Sequence, residues 1–509
     1  MNVGALIEQA VVVYGDKAAI RFGNRTLSYA DVGLDVARLA DAFRQAGLAH
    51  GDRVAIFMRN NPEYLLTLFA CFRAGLCAVP VNAKLHPNEL AYILGNAECG
   101  ALVFGEETAG SVADAVTKAP VDRLIRVGGS GQDDSFEDVV SSGDPDVSPA
   151  DVEPDDLAWL FYTSGTTGFP KGAMLSHRNL ISMTMNTLAD VYTFEPEDVV
   201  LHPAPLSHGC GLYALATLAR GCDNIIYDRP RFDPAEILRL VESERVTSIA
   251  FMAPTMIVML LDAPAEIDTS SLRSIIYGGG PMHVDILREA LARFGKVFTQ
   301  IYGQGEAPMT ISYLRAEDHD PDDDDALAST GIPRTDVEVR LVDDDGNNVA
   351  VGEEGEIAVR GDVVMQGYWN NPEATARSLQ NGWLHTGDIG RFDRHGRLSL
   401  LDRKNDMIIS GGTNIYPREV EEVLVLHKSV REAAVFSVPD TVWGESVFAC
   451  VVPASGEQPE AKDLIEFCKE HLASFKKPKH VEVVDDLPKN AYGKVLRREL
   501  KERYADSAS

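Results

Sequence analysis

The chain has 509 residues, 45% apolar and 24% charged, which excludes both a single small module and wholesale disorder. With 47 Lys and Arg against 77 Asp and Glu, the formal net charge is −30. Such a chain repels nucleic acid and anionic lipid at long range, so neither is expected as a partner.

In chain order, Ala18–Arg21 and Arg53–Met58 read as strands. Between them Val32, Val36, Leu39 and Phe43 recur at helical spacing after Ser28, a helix cap. Pro62–Ala74 reads as a helix, Cys77–Val81 as a buried strand, Pro87–Leu94 as a helix and Ala101–Phe104 as a strand. That alternation predicts an α/β fold with a largely parallel sheet. Ser130–Asp156, rich in Asp, Ser, Pro and Gly, reads as a surface connection. Alternation resumes at Leu157–Tyr162 and runs to about Met309, and Arg273–Tyr277 is one of its strands. Arg315–Asp325 carries seven acidic residues and reads as a solvated loop. Short strands at Val337–Val342 and Gly355–Arg360 predict a β-rich subdomain, and a compact α+β segment follows Asp402.

No apolar run is long enough to span a bilayer: Ile249–Leu261 is too short and contains Pro254. Residues 1–15 lack the basic start of a signal peptide. The seven cysteines (71, 77, 99, 210, 222, 450 and 468) have no metal-ligand spacing and read as reduced core residues of a cytoplasmic protein.

The strongest local signal is Phe161-Tyr-Thr-Ser-Gly-Thr-Thr-Gly-Phe-Pro-Lys-Gly172. A strand leads into hydroxyls and glycines, then a lysine. Glycines let backbone N–H groups approach an anion, and hydroxyls and Lys171 add donors and charge, which suits a polyphosphate. It is not the P-loop of kinases and GTPases, because Pro170 and Gly172 stand where that motif needs Gly and Ser or Thr. Five further motifs follow. They are Tyr302-Gly-Gln-Gly-Glu306, Ser329-Thr-Gly-Ile-Pro333, His385-Thr-Gly-Asp388, Asp402-Arg-Lys-Asn-Asp-Met-Ile-Ile-Ser-Gly-Gly412 and Pro488-Lys-Asn-Ala-Tyr-Gly-Lys494. Taken singly, Glu306 could cap a helix, Tyr302 could be a core residue and Asp388 a turn residue.

These six segments, in this order over about residues 10–500, resemble the adenylate-forming superfamily of acyl-CoA synthetases, firefly-luciferase-like enzymes and peptide-synthetase adenylation domains. The resemblance implies a large N-terminal domain over residues 1–401, with two α/β lobes and a β-rich subdomain from about 325. It implies a small mobile α+β domain over 402–509, with Asp402 as hinge. It also implies ATP, magnesium and coenzyme A. The expected reaction is activation of a monocarboxylic acid, aromatic or short-to-medium aliphatic, as an acyl adenylate with release of pyrophosphate, then thioester formation.

The resemblance assigns the nucleotide to Thr163, Ser164, Gly165, Thr166, Thr167, Gly168, Lys171, Gly278, Gly279, Gly280, Gln300, Tyr302, Gly303, Asp388 and Arg403. Glu306 is the expected magnesium carboxylate and Lys494 the catalytic lysine that reaches the α-phosphate. His208, in Pro203-Ala-Pro-Leu-Ser-His-Gly-Cys-Gly211, is expected at the acyl site near the thiol channel. The acyl pocket is expected from His208, Cys210, Tyr213, Met252, Tyr277, Ile301 and Ala307. Ile301 stands where elongated pockets often have Gly, and should shorten this one. Gly411 and Gly412 are expected to line the coenzyme A channel. Phe475–Arg498 holds seven Lys or Arg against three Asp or Glu, a local basic patch for anionic substrates. Gly305 replaces the Thr usual before the magnesium Glu, and the expectation is that Thr163, Thr166 or Thr167 compensates and that Gly305→Thr is tolerated.

The alternatives within the superfamily are an adenylation enzyme that serves a separate carrier protein, though the chain ends at Ser509 without one, and a luciferase-like oxygenase. A non-catalytic acyl- or nucleotide-binding homologue is the alternative outside catalysis, and the presence of Lys494 and Glu306 argues against it. A homodimer is left open.

Overall fold

The computed structural model describes residues 1–129, 131, 133–163, 170–227, 229–264, 266–280, 282–404, 406–410, 413–440, 443–489 and 495–504. The chain forms two units, Met1–Val339 with Val359–His385, and Arg340–Ala358 with Thr386–Ser509.

The first unit holds two sheets flanked by helices. One has seven strands, in the order Asp134–Ser135, Arg123–Val127, Cys99–Gly105, Arg53–Phe57, Cys77–Pro80, Leu157–Thr163 and Lys171–Ser176. All pairs are parallel except the last, an antiparallel hairpin that sets Thr163 opposite Lys171. The other has nine strands, in the order Ile332–Pro333, Ser312–Leu314, Phe298–Tyr302, Ser274–Gly278, Ser248–Met252, Val199–His202, Asp223–Ile226, Ala18–Phe22 and Arg25–Ser28. Its centre is parallel and its margins antiparallel. The expected strands near Ala18 and Arg53 both form, but in different sheets, because sequence order does not fix sheet membership.

Local chemistry accounts for the helices. Ser28 caps Tyr29–Gln45, its hydroxyl accepting from the Asp31 N–H while the Asp31 carboxylate accepts from the Ser28 N–H. Pro62–Ala74 starts on proline, is capped by the Asn61 side chain and stops at Gly75, whose φ of 72° suits only glycine well. Nearly all its residues are buried, in keeping with a continuous apolar sequence wedged beside a parallel sheet. The seven cysteines are all free and buried. No helix among the described residues is long and apolar enough to cross a membrane.

Two expectations need correction. The connection Ser130–Asp156 contains the strand Asp134–Ser135 and the helix Phe136–Ser142, whose Phe136 and Val140 are buried. Two apolar anchors in a polar stretch are too few to show a period. The acidic segment Arg315–Asp325 is not merely solvated. It contains the short helix Ala316–Asp318 and the start of Asp324–Ala328, and buries His319 completely. Its carboxylates pair with Arg315 and Arg288.

In the second unit, Leu398–Arg403 pairs antiparallel with the end of Trp383–Phe392, placing Asp388 opposite Arg403. A second sheet runs Thr413–Ile415, Ile408–Ser410, Gly444–Pro453 and Val430–Asp440, with His480–Val483 parallel to Gly444–Pro453. Helices Pro417–Leu426 and Ala461–His471 contribute Val420, Leu424, Leu464 and Cys468 to one cluster, while Leu500 of Arg497–Tyr504 joins Phe436 and Phe448 in another. The strands expected at Val337–Val342 and Gly355–Arg360 form as Glu338–Val342 and Glu354–Arg360.

Three histidines of the first unit are fully buried: His177, His202 and His319. His177 Nδ1 accepts the Val3 N–H at 3.1 Å, and His202 Nε2 lies 2.9 Å from Asn224 Oδ1. Desolvation pushes each imidazole down to a pKa of about 4. Unfolded imidazoles titrate near ~6.5, so between these values the unfolded chain binds more protons. Stability from these groups is complete above about pH 6.5 and falls as pH drops toward 4, by up to about 1.4 kcal/mol per pH unit for each histidine. The urea midpoint, followed by fluorescence of the buried Trp159, should therefore be lower at pH 5 than at pH 7.5. An equal midpoint at the two pH values would contradict this account.

Candidate active site

Most of the expected first-unit site residues lie at or just beyond carboxyl ends of parallel strands. Thr163 ends Leu157–Thr163, Met252 ends Ser248–Met252, Gly278 ends Ser274–Gly278 and Tyr302 ends Phe298–Tyr302. His208 follows the strand Val199–His202 within a few residues. In open α/β sheets these ends are where crevices form, because the crossover helices leave them uncovered.

Glu306 is the centre of this region and is almost buried. Its Oε1 accepts hydrogen bonds from the Tyr368 hydroxyl at 2.7 Å and from Thr163 Oγ1 at 3.3 Å. Among the described residues nothing bonds Oε2. The Glu306 carbonyl accepts the Met365 N–H at 2.8 Å. Lys171 Nζ sits 5.1 Å from the centre of the Tyr368 ring, close enough for a cation–π attraction. Thr163, Lys171, Glu306 and Tyr368 thus form one group of donors and charges. Ser164, Gly165, Thr166, Thr167 and Gly168, between Thr163 and Lys171, lie outside the described residues.

A row of rings starts beside this group. Phe161 lies edge-on to His208, centroids 5.2 Å apart. Gly209 touches Phe251, and Phe251 stacks on Tyr213 at 6.4 Å. A Cβ on Gly209 would lie 2.7 Å from the Phe251 ring, so glycine is needed for that approach. His208 Nδ1 is 2.9 Å from Ser207 Oγ, and desolvation pushes its pKa down to about 3. It is therefore a neutral imidazole near pH 7.

The same close packing overturns one expectation. A Cβ on Gly305 would meet Thr163 Cγ2 at 2.5 Å and Phe161 Cδ1 at 2.7 Å. Phe161 fills the space a threonine would need, so Gly305 is a steric requirement rather than a missing hydroxyl that can be restored.

The floor of the region is buried and partly polar. Tyr277, Gln300, Ile301, Met252, Cys210 and Ala307 are all enclosed. Ile301 covers Gly278: a Cβ there would lie 2.3 Å from the Ile301 carbonyl and 2.8 Å from its Cδ1. Gly279, at φ 79°, passes the edge of Phe251, while a Cβ on Gly280 would lie 3.7 Å from Pro254. Gly303 is pressed against the backbone of Met309, and Tyr302 is largely buried. The Tyr277 hydroxyl is 3.1 Å from His319 Nε2 and 3.2 Å from the Gln300 amide. His319 Nδ1 is 2.7 Å from the Arg315 carbonyl, which can only accept. Nδ1 therefore carries the proton and Nε2 accepts from Tyr277. Gln300 Oε1 is the amide atom nearest the hydroxyl, at 3.2 Å.

In the second unit, Arg403 Nε and Asp388 Oδ1 form an ion pair at 3.1 Å across the two strands. The Asp402 carboxylate accepts the N–H of Arg403 at 2.7 Å and of Arg418 at 3.0 Å. Burial raises its pKa, against the lowering field of Arg497. Asp402 lies inside the strand Leu398–Arg403, with residues of the same unit on both sides. Lys494, Gly411 and Gly412 lie outside the described residues.

Phe161, Phe251 and Tyr368 belong to this region but are not among the residues the motifs single out. Phe161 opens the glycine-rich segment, so its position there was a usable signal. The others stand in stretches without chemical patterning and are brought in by tertiary packing.

Comparison with known proteins supports the same reading. The family model for AMP-binding enzymes matches residues 7–369, and the model for the AMP-binding enzyme C-terminal domain matches residues 419–494. A feruloyl-CoA synthase from Amycolatopsis is 40% identical over 491 residues, 96% of each chain. An indoleacetate–CoA ligase from Aromatoleum aromaticum is 36% identical, over 99% of this chain and 98% of its own. The ATP-bound crystal structure of MatB from Rhodopseudomonas palustris is 33% identical and superposes with a TM-score of 0.90, covering all of both chains. With the motifs and the two α/β sheets in agreement, the chain belongs to the AMP-binding enzyme family, as an adenylate-forming acid–thiol ligase of its acyl-CoA synthetase branch.

Proposed function

We propose that the enzyme activates an aromatic monocarboxylic acid with ATP and transfers the acyl group to coenzyme A. The observation that carries the substrate class is the row of Phe161, His208, Phe251 and Tyr213 running from the Glu306 group. Flat rings gain most from such walls through edge and stacking contacts. Relatives named for ferulate and indoleacetate point the same way.

In the proposed first step a carboxylate oxygen bonds to the α-phosphorus. The bond from that phosphorus to the bridging oxygen breaks, and pyrophosphate leaves. In the second, the thiol sulfur of coenzyme A bonds to the acyl carbon as its proton leaves to solvent, and the bond from that carbon to the AMP oxygen breaks, releasing AMP. Thr163, Lys171 and the residues 164–168 are assigned to the phosphates. Gly278, Gly279, Gly280, Gln300, Tyr302 and Gly303 are assigned to the base, and Asp388 with Arg403 to the ribose side. Magnesium fits a site with a single protein carboxylate, since the ion takes most of its ligands from water and substrate phosphates. Glu306 would hold it through Oε2, the oxygen that its described neighbours leave available. Once bound, the ion would offset the negative charge that builds up on the departing pyrophosphate. Neutral His208 would bound the acyl site without adding charge, and Ile301 would limit its depth. The free buried cysteines fit a reducing compartment, and we assign the enzyme to the cytoplasm.

Lys494 is assigned to the first step alone. Two anions meet when the carboxylate approaches the α-phosphate, and an ammonium between them stabilises that transition state. The second step has no such encounter. The small domain, turning about the segment that contains Asp402, would then present Gly411 and Gly412 to the thiol.

The direct test is acid-dependent pyrophosphate release with a panel of aromatic and aliphatic acids. Lys494→Ala should abolish it by about two orders of magnitude or more, yet still convert supplied acyl adenylate and coenzyme A to thioester. Equal loss of both half-reactions in a folded variant would refute the division of labour. Gly305→Thr should fold, by circular dichroism, but lose about tenfold or more in kcat/KM for ATP, because it displaces Thr163 and Phe161. An unchanged value would show that the ring and hydroxyl can move aside freely.

A further inference from the structure

Glu306 is gripped by a short segment to which the reaction scheme gives no task. Residues 365–368 reach both its main chain and its side chain. The Met365 N–H donates to the Glu306 carbonyl at 2.8 Å, and the Tyr368 hydroxyl donates to Oε1 at 2.7 Å. Thr163 reaches the same oxygen at 3.3 Å. Among the described residues Tyr368 is therefore the stronger donor to this carboxylate.

The segment is itself fixed, as an added antiparallel edge beside the strand Lys171–Ser176. The Gln366 N–H donates to the Met174 carbonyl and the Met174 N–H to the Gly367 carbonyl, both at 2.9 Å. The Trp369 N–H donates to the Gly172 carbonyl at 2.8 Å, and the Tyr368 N–H to Thr375 Oγ1 at 2.9 Å. The same edge brings the Tyr368 ring to 5.1 Å from Lys171 Nζ, at the start of that strand.

A glutamate side chain has several rotamers, and fixing one of them on binding an ion costs conformational entropy. Tyr368 fixes it beforehand and engages Oε1, which leaves Oε2, unbonded among the described residues, for the ion. The ring acts separately: a cation is attracted to an aromatic face, which narrows the positions open to the Lys171 ammonium. Resting on the assignment of magnesium to Glu306 and of the phosphates to Lys171, we propose that Tyr368 is a positioning residue with two separable tasks. Its hydroxyl presents Glu306 to the ion, and its ring holds Lys171 for the phosphates of ATP.

Tyr368→Phe keeps the ring and removes the hydroxyl, and Tyr368→Leu removes both. Manganese binding to the enzyme with a non-hydrolysable ATP analogue, followed by electron paramagnetic resonance, reads the metal site without turnover. Tyr368→Phe should weaken manganese by about tenfold or more, and raise the magnesium needed for half-maximal pyrophosphate release by a similar factor. Its KM for ATP at saturating magnesium should stay within about twofold of native. Tyr368→Leu should raise that KM as well, by about threefold or more. A merely structural tyrosine would lower stability or kcat without separating the two constants, which would overturn the inference. Native manganese affinity in Tyr368→Phe would remove the hydroxyl's task, and an equal KM in the two variants the ring's. Glu306→Gln tests the underlying assignment. Unchanged manganese affinity there would remove magnesium from Glu306, whereas a loss there with none in Tyr368→Phe would remove only the role of Tyr368.

Discussion

Glu306 is the tie on which the arrangement of the first unit's site depends. Its side chain joins Thr163, at the end of one sheet, to the end of Phe298–Tyr302 in the other, and Tyr368 closes the group from a third segment. A nearly buried carboxyl group is costly unless hydrogen-bonded, and here two hydroxyls donate to the same oxygen. The arrangement is therefore both a structural joint and a polar surface with one oxygen left for a further partner. Backbone support from Met365 to the Glu306 carbonyl holds the loop from below.

The second constraint is close packing of rings against bare backbone. Gly209 admits Phe251, Gly305 admits Phe161 and Gly278 admits Ile301, each at a distance no Cβ would allow. Interiors packed at this density transmit small changes in volume. The absence of a side chain at Gly305 is thus coupled to the presence of Phe161, whose ring occupies space a threonine would need.

Much of the candidate site was legible because the residue types that suit a polyphosphate leave a strong trace in sequence. Hydroxyls, glycines and a lysine after a buried strand have few other uses, and Glu306, Asp388 and Arg403 stand in motifs whose order excludes chance. Helix limits such as Pro62–Ala74 were legible from proline, cap and glycine chemistry. What was not legible arises from packing. Nothing in the acidic run around His319 signals that its imidazole is buried against Tyr277. Tyr368 looks like an ordinary loop residue until the fold sets it beside Glu306. The tolerance expected of Gly305→Thr is opposed by the volume of Phe161 and Thr163, which the sequence does not show.

The chemistry at the centre of this account is a bond between the carboxylate of the acid and the α-phosphorus of ATP. Isotope transfer tests it most directly: the acid is supplied with both carboxyl oxygens as oxygen-18, together with ATP and coenzyme A, and the products are read by mass spectrometry. The account predicts one labelled oxygen in the phosphate of AMP and none in pyrophosphate. AMP free of label, or label recovered in inorganic phosphate or pyrophosphate, would contradict it.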